Sequence, residues 1–263
     1  MKIYENGFYS GNSCETHFFD GITYNLTNYG SLEPNSEFHA HSNAQISFIL
    51  KGNYIESKEN QIHHRQTGDL FFYNSYESHK FETESNFKNL NIEFTSQFLK
   101  TYNIQENQIE NRLKTSSNSK LNILKILFEL QQKDKDMETA ITFQLLDMIT
   151  PSILETKTFI PNWFYTLEEL ISDKWNEKVT LKELSESLNI HPVTISKYFS
   201  KYSGLTFGEY SRRIKINKSI DLLKNRSLSI TEIAFICGFS DQSHFIRTFK
   251  NLNGFTPNQF RNY

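Results

Sequence analysis

The chain has 263 residues, 37% of them hydrophobic and 14% aromatic, which is enough apolar material for two cored domains and excludes global disorder. Its net charge of −2 hides a division: from Val179 onward there are twelve Lys/Arg against six Asp/Glu, leaving 16 basic and 24 acidic residues for the rest. An acidic first part joined to a basic last part directs only the last part toward phosphate. The two cysteines, Cys14 and Cys237, form no paired pattern, which points to a reducing compartment without a disulfide frame. The first residues, Met1 to Asn6, lack the apolar core of a signal peptide, and no run approaches the ~18 apolar residues of a membrane span. A soluble, cytoplasmic protein with no membrane partner is expected.

Up to about Phe98 the pattern is short, aromatic and extended. Ile46 to Leu50 and Leu70 to Tyr73 read as strands, with Lys51-Gly52-Asn53 and Thr67-Gly68-Asp69 as turns. Short strands without helical period predict a β-sandwich or small barrel over 1–98. Within it lie His39-Ala40-His41, then Gln45, and later Gly68 and His79. His39, His41 and Gln45 share parity, so on one continuous strand they point to one side, with Ser47 in the same candidate pocket. His79 is expected from another strand, and His63-His64 reads as an exposed turn pair. The pattern is similar to the two-part cupin motif, in which His-x-His, a Glu and a final His bind a metal inside a jelly-roll barrel. The motif's Glu is Gln45 here, and its later Pro and Gly are Asn74 and Tyr76. Three imidazoles (His39, His41, His79) can in principle hold zinc or another late transition metal. The reading preferred from sequence is an effector pocket without metal, and hence no cofactor.

The middle of the chain changes period. Leu121, Ile123, Leu124, Leu127, Phe128 and Leu130 predict one amphipathic helix after a loop at Lys114 to Ser119, and Ile141 to Leu154 predict a second. Such helices either cover an open face of the barrel or present a stripe to a second copy. The expectation is a dimerisation and linker region over 99–155, then a linker over 156–162.

From Trp163 the chain reads as helical, and one motif occurs twice. Leu181, Leu184, Leu188 and Ile190 align with Ile230, Ile233, Cys237 and Phe239 at an offset of 49; Ile195, Phe199, Gly204, Thr206 and Tyr210 align with Phe245, Phe249, Gly254, Thr256 and Phe260 at 50. Thr180 with Glu183 and Ser229 with Glu232 make capping boxes. Asn189 and Gly238 occupy turns that need a left-handed residue. Pro192 opens one second helix, Ser240 caps the other, and Gly204 and Gly254 end them. This is helix, tight turn, helix, in which the second helix enters the major groove. With Ile195, Phe199, Phe245 and Phe249 in the core, the helices at Pro192 to Ser203 and Asp241 to Asn253 offer Val193, Thr194, Ser196 and Lys197, and Gln242, Ser243, His244 and Arg247, to base edges. A connecting helix from Phe207 to Asn225 carries Arg212, Arg213, Lys215 and Lys218, of which the first three are expected to contact DNA. If its length sets the spacing, the reading helices enter adjacent major grooves roughly 34 Å apart.

The run from Ile230 to Phe260, Ile-Thr-Glu-Ile-Ala-x-x-Cys-Gly-Phe-Ser-Asp-Gln-Ser-His-Phe-x-Arg-x-Phe-Lys and then Gly-Phe-Thr-Pro-x-x-Phe, closely resembles the signature of the AraC/XylS family. The resemblance covers about a hundred residues from Trp163. It implies a double helix-turn-helix domain over 163–263 whose base contacts fall on Val193, Ser196 and Lys197 and on Ser243, His244 and Arg247. Two positions depart from the family: His191 replaces a capping Ser, and Lys197 an Arg. The resemblance further implies an effector-responsive factor, more often activator than repressor, that binds double-stranded promoter DNA as a homodimer and engages RNA polymerase.

The expected architecture is therefore multidomain: an all-β, cupin-like jelly-roll barrel with flanking helices, then an all-α domain with two helix-turn-helix motifs. The competing readings are a metal-dependent cupin enzyme bearing a DNA-binding tail, and a constitutive regulator with a purely structural barrel. The absence of the cupin Glu, and of any nucleophile–base pair or phosphate loop, argues against an enzyme.

Overall fold

The computed structural model describes residues 2–30, 37–58, 61–83, 86–116, 118–132, 136–150 and 160–263. Ser117, the end of the second middle helix at Leu154, and the linker at 156–159 lie outside them. The chain divides into two compact units, 1–116 with Tyr263 and 117–262. The boundary thus lies inside the region expected over 99–155, because its helices belong to two different cores.

In the first unit the described residues form ten strands in two five-stranded sheets. The strands are β1 (Lys2–Tyr4), β2 (Asn12–Phe19), β3 (Ile22–Tyr29), β4 (His39–His41), β5 (Ala44–Lys51), β6 (Asn53–Lys58), β7 (Gln61–Gln66), β8 (Leu70–Tyr73), β9 (His79–Glu82) and β10 (Phe87–Phe94). One sheet runs β1-β4-β9-β6-β7 and the other β2-β3-β10-β5-β8. β5 is buried along all but its last residue, and its branched and aromatic side chains suit that place. The turn after it depends on Gly52, whose φ is +83°; a Cβ there would lie 2.3 Å from the Asn86 carbonyl oxygen. Tyr29, Ile49, Tyr54, Phe71, Tyr73 and Phe87 pack as one hydrophobic cluster, aromatic but for Ile49. Two short helices follow, α1 (Ser96–Thr101) and α2 (Glu106–Thr115). α2 packs on β8, and Glu106 accepts hydrogen bonds from the backbone N–H and hydroxyl of Ser75. The loop expected from Lys114 therefore begins inside a helix.

The second unit is helical. Its elements are α3 (Ser119–Gln132), α4 (Met137–Ile149), α5 (Asn162–Asp173), α6 (Leu181–Leu188), α7 (Pro192–Ser203), α8 (Phe207–Leu223), α9 (Ile230–Ile236), α10 (Gln242–Asn253) and α11 (Pro257–Arg261). The first motif, α6–α7, closes a core of Phe164, Leu167, Ile171, Leu184, Ile195, Phe199 and Ile214. The second, α9–α10, buries Ile233, Cys237, Phe245 and Phe249 completely. α8, seventeen residues and thus about 25 Å long, packs against both motifs.

α3 and α4 belong to this unit. α3 lies against α4, α8 and α10; Phe128 meets Phe255 edge-on at 5.6 Å, and Lys120 pairs with Asp221 at 2.6 Å. Gly254 makes room for Phe128, whose ring a Cβ there would strike at 2.4 Å. The apolar stripe expected to face a second copy is consequently covered within the chain. Among the described large apolar side chains of α3 and α4, Phe143 is the exposed one, at 73%.

Candidate DNA-reading helices and effector pocket

Both reading helices are cut to length by the residues that flank them. Thr180–Glu183 and Ser229–Glu232 form reciprocal capping boxes at α6 and α9. The same device recurs at Thr206–Glu209 and Thr256–Gln259, heading α8 and α11. Asn189 turns the first motif at φ 53° and Gly238 the second at φ 68°, while Gly204 and Gly254 end α7 and α10 in the left-handed region. His191 serves as the cap of α7: its Nδ1 accepts the Val193 N–H at 3.3 Å. α10 is capped by Asp241, whose carboxylate accepts the His244 N–H at 2.7 Å, and the expected cap Ser240 instead donates its hydroxyl to Asp241.

With Ile195, Phe199, Phe245 and Phe249 fully buried, the opposite faces are open. On α7, Val193 (65%), Ser196 and Lys197 are exposed and Thr194 half-buried. On α10, Gln242, Ser243 and Arg247 are exposed; His244 is half-buried, its ring 5.2 Å from Phe239. Gln242 accepts a hydrogen bond from the Thr231 hydroxyl. The basic residues of α8 divide. Arg212 is exposed, whereas Arg213 is half-buried near Lys125 of α3, whose ammonium is held below its ordinary range by burial and by that charge. Lys215 donates from Nζ to the Gly238 carbonyl at 3.0 Å and so braces the second turn. Gly238 also abuts the loop after α5, since a Cβ would fall 1.9 Å from the Asn176 carbonyl oxygen. The second turn thereby abuts both α8 and the loop that leads into the first motif.

The second constellation lies inside the β unit. His39 and His41 stand on β4 and Gln45 on β5, in different sheets, so the single continuous strand is corrected: the chain crosses between sheets at Ser42-Asn43. All three line one cavity nonetheless, with Ser47, His79, Tyr9, Tyr73, Asn89 and Asn91 among its other walls. His79 arrives on the strand adjacent to β4, in register with His39. His63 and His64 are not a turn pair; they sit on β7 opposite Glu56 and Ile55.

The nitrogens that His39, His41 and His79 can offer lie within 4.8 Å of one another, and each residue is 4% exposed. His39 donates from Nδ1 to the Glu37 carbonyl at 2.8 Å and His79 to that of Glu77 at 3.1 Å. Burial lowers all three imidazole pKa values, to about 3 at His41, with the neighbouring His39 adding to the effect there. Tyr73 stacks on His79 at 4.1 Å and donates its hydroxyl to the buried Glu56, which also takes Arg65. At the other end Tyr9 donates to Glu93 at 2.5 Å and approaches Gln45 at 3.2 Å. Burial raises the Glu93 pKa, opposed by the hydrogen bonds from Tyr9, the Gly7 N–H and Asn43. Sequence reasoning missed Tyr9, Asn89, Asn91 and Glu93; the last three occupy alternate positions of β10, a period-two signal. Neutral imidazoles are a donor set that fits a transition metal.

A fold that joins a polar-lined β pocket to paired helix-turn-helix motifs is that of a two-domain transcription regulator. Residues 184–263 match the model of a helix-turn-helix domain, and residues 31–140 that of an AraC-like ligand-binding domain. The transcriptional activator RhaR of Mannheimia succiniciproducens is 22% identical over 87% of this chain and 88% of its own length. RhaS of Escherichia coli, also named a transcriptional activator, is 23% identical over 87% and 89%. The solved structure of ToxT from Vibrio cholerae covers 92% of this chain and 98% of its own at 13% identity, with a TM-score of 0.37. The chain belongs to the AraC family of DNA-binding transcriptional regulators. No helix among the described residues is long and apolar enough to cross a membrane.

Proposed function

We propose that this regulator is an effector-responsive activator acting in the cytoplasm, in which α7 and α10 read two successive major grooves of promoter DNA. The observation that carries the reading is the pairing of two helices with fully buried apolar faces and open polar faces, joined through one rod, α8. Arg247 and Lys197 reach guanine edges, Ser196, Thr194, Gln242, Ser243 and His244 supply further hydrogen bonds, and Val193 meets a thymine methyl. Arg212 and Arg213 neutralise phosphate, while Lys215 acts through the turn it braces. Activation follows the names of RhaR and RhaS, whose length the chain nearly spans, and implies RNA polymerase as a partner. A homodimer is part of the reading, and sedimentation of the free protein tests it.

The β pocket holds a small effector. α3 gives the signal a route: it follows the β unit in the chain and packs directly on α8 and α10. The effector shifts DNA affinity only insofar as it binds one arrangement of the protein better than the other. Selection of bound duplexes from random DNA by the full-length protein tests the reading. Two short blocks one helical turn apart are expected. A single enriched block contradicts paired reading, and absence of enrichment with and without cell extract contradicts the function.

A further inference from the structure

Resting on the reading of α10 as a helix that reads bases, the kind of base it selects can be narrowed. Ser229 and Glu232 cap α9 reciprocally, which fixes Thr231 in the first turn of that helix. Across the tight turn, eleven residues on, Gln242 opens α10 behind its cap Asp241. The Thr231 hydroxyl donates to Gln242 Oε1 at 2.9 Å. Both residues are exposed, so the bond lies on the open side of the motif rather than in its core.

A glutamine amide has one acceptor, its carbonyl oxygen, and two donors on its nitrogen. Reading adenine takes both groups at once, the oxygen accepting from N6 and the nitrogen donating to N7. With Oε1 turned to α9 by Thr231, the amide acts on the groove through its NH2 group. The other polar groups at this end of α10 agree in sign. Both carboxylate oxygens of Asp241 are engaged, one by the His244 N–H at 2.7 Å and the other by the Ser240 hydroxyl at 3.0 Å. The half-buried His244 ring stands edge-on to Phe239 at 5.2 Å. Arg247, exposed about a turn further on, has donors alone. The first two turns of α10 thus offer the groove mainly donors, with the Ser243 hydroxyl able to serve either way.

We propose that Thr231 is a positioning residue for base recognition, and that through it Gln242 selects guanine over adenine and hence a G·C pair. Guanine presents two neighbouring acceptors to the major groove, O6 and N7, which match an NH2 group; thymine presents O4 alone beside its methyl. Adenine presents N7 next to the donor N6, so an NH2 group facing it sets donor against donor. A donor left without a partner in a closed interface costs free energy. Thr231 touches no base in this arrangement. It acts by withholding the oxygen that adenine needs.

The test is selection of bound duplexes from random DNA by the full-length protein, with and without cell extract, for the wild type and three variants. Gln242→Ala identifies the base pair that Gln242 reads, as the one at which preference is lost. The wild type is expected to carry G·C there. Thr231→Val keeps the shape of the side chain, removes its hydroxyl and frees Oε1. It is expected to raise affinity for A·T relative to G·C at that pair about tenfold, and Thr231→Ser to keep the wild-type preference. A merely structural role would lower affinity for every sequence alike, so in Thr231→Val the other positions and the salt dependence are expected to stay unchanged. An A·T pair at the Gln242 position in the wild type, an unchanged preference in Thr231→Val, or no position affected by Gln242→Ala overturns the inference, while two enriched blocks still preserve the function. Absence of enriched blocks overturns both.

Discussion

Histidine separates the two units of this protein. In the β unit His39, His41 and His79 are buried together, neutral, and aligned by backbone carbonyls. In the helical unit His191 is exposed and caps α7, and His244 sits half-buried on the face of α10 that carries Arg247. The same side chain builds an interior site in one unit and a surface in the other. The contrast extends to the rest of the polar residues. The β unit encloses Gln45, Ser47, Glu56, Asn91 and Glu93, while the helical unit turns Ser196, Lys197, Gln242, Ser243 and Arg247 outward. Enclosed polar groups suit a ligand small enough to be surrounded. Outward ones suit a partner larger than the protein itself.

The largest effect that sharpens this contrast is on stability. Phe245→Ala removes a fully buried ring from the second motif and is expected to cost about 3–5 kcal/mol in denaturant unfolding of the helical unit. Amide exchange of β5 and β10 should stay unchanged, and loss of protection there would break the separation into two units. Next, Arg247→Ala is expected to cost about 1–3 kcal/mol at one base pair and relax preference there. Arg212→Ala should instead weaken all duplexes alike and flatten the salt dependence by about one phosphate. Equal effects of the two on every sequence would contradict the division between reading and anchoring residues.

A smaller effect concerns acid. Burial holds the three imidazoles below their ordinary value of 6.5, so protonation favours the unfolded chain. The stability they contribute to the β unit is full above pH 6.5 and is lost as the pH falls from there toward the His41 value of about 3. In the helical unit Asp221 is pushed up by burial but held lower by Lys120 and Lys224, so its contribution persists above 3.8 and fails only below it. Trp163 and Trp175 both lie in the helical unit, so their fluorescence follows that unit alone while hydrogen exchange follows β5 and β10. The β unit is expected to loosen first; tryptophan emission changing first would contradict this.

The helical unit was the more legible in sequence, for a local reason. A capping box, a left-handed turn and a helix-ending glycine each act within a few residues, and the pattern recurs at a fixed offset; Thr180, Asn189, Ser229 and Gly254 therefore sit where the pattern places them. The β site depends on which strands pair, which no short segment specifies. His39 and Gln45 share parity in the chain yet occupy two sheets, because the crossing at Ser42-Asn43 carries no distinctive residue. α2 escaped notice because Ile109 and Leu113 are its only aliphatic side chains, too few for a visible period. Lys215 reads from sequence as a DNA contact, because the turn it braces at Gly238 is twenty-three residues away.

α8 packs against both reading helices, and Lys215 and the Gly238–Asn176 contact brace the second turn, so the two helices are expected to act at one fixed separation. Affinity of the full-length protein for its selected duplex, measured as base pairs are inserted between the two blocks, tests this directly. Insertion of about five base pairs, half a helical turn, places the second block on the opposite side of the duplex. Binding should then fall to that of a duplex carrying one block. Affinity that survives the insertion unchanged would mean that the two motifs do not read DNA as one rigid unit.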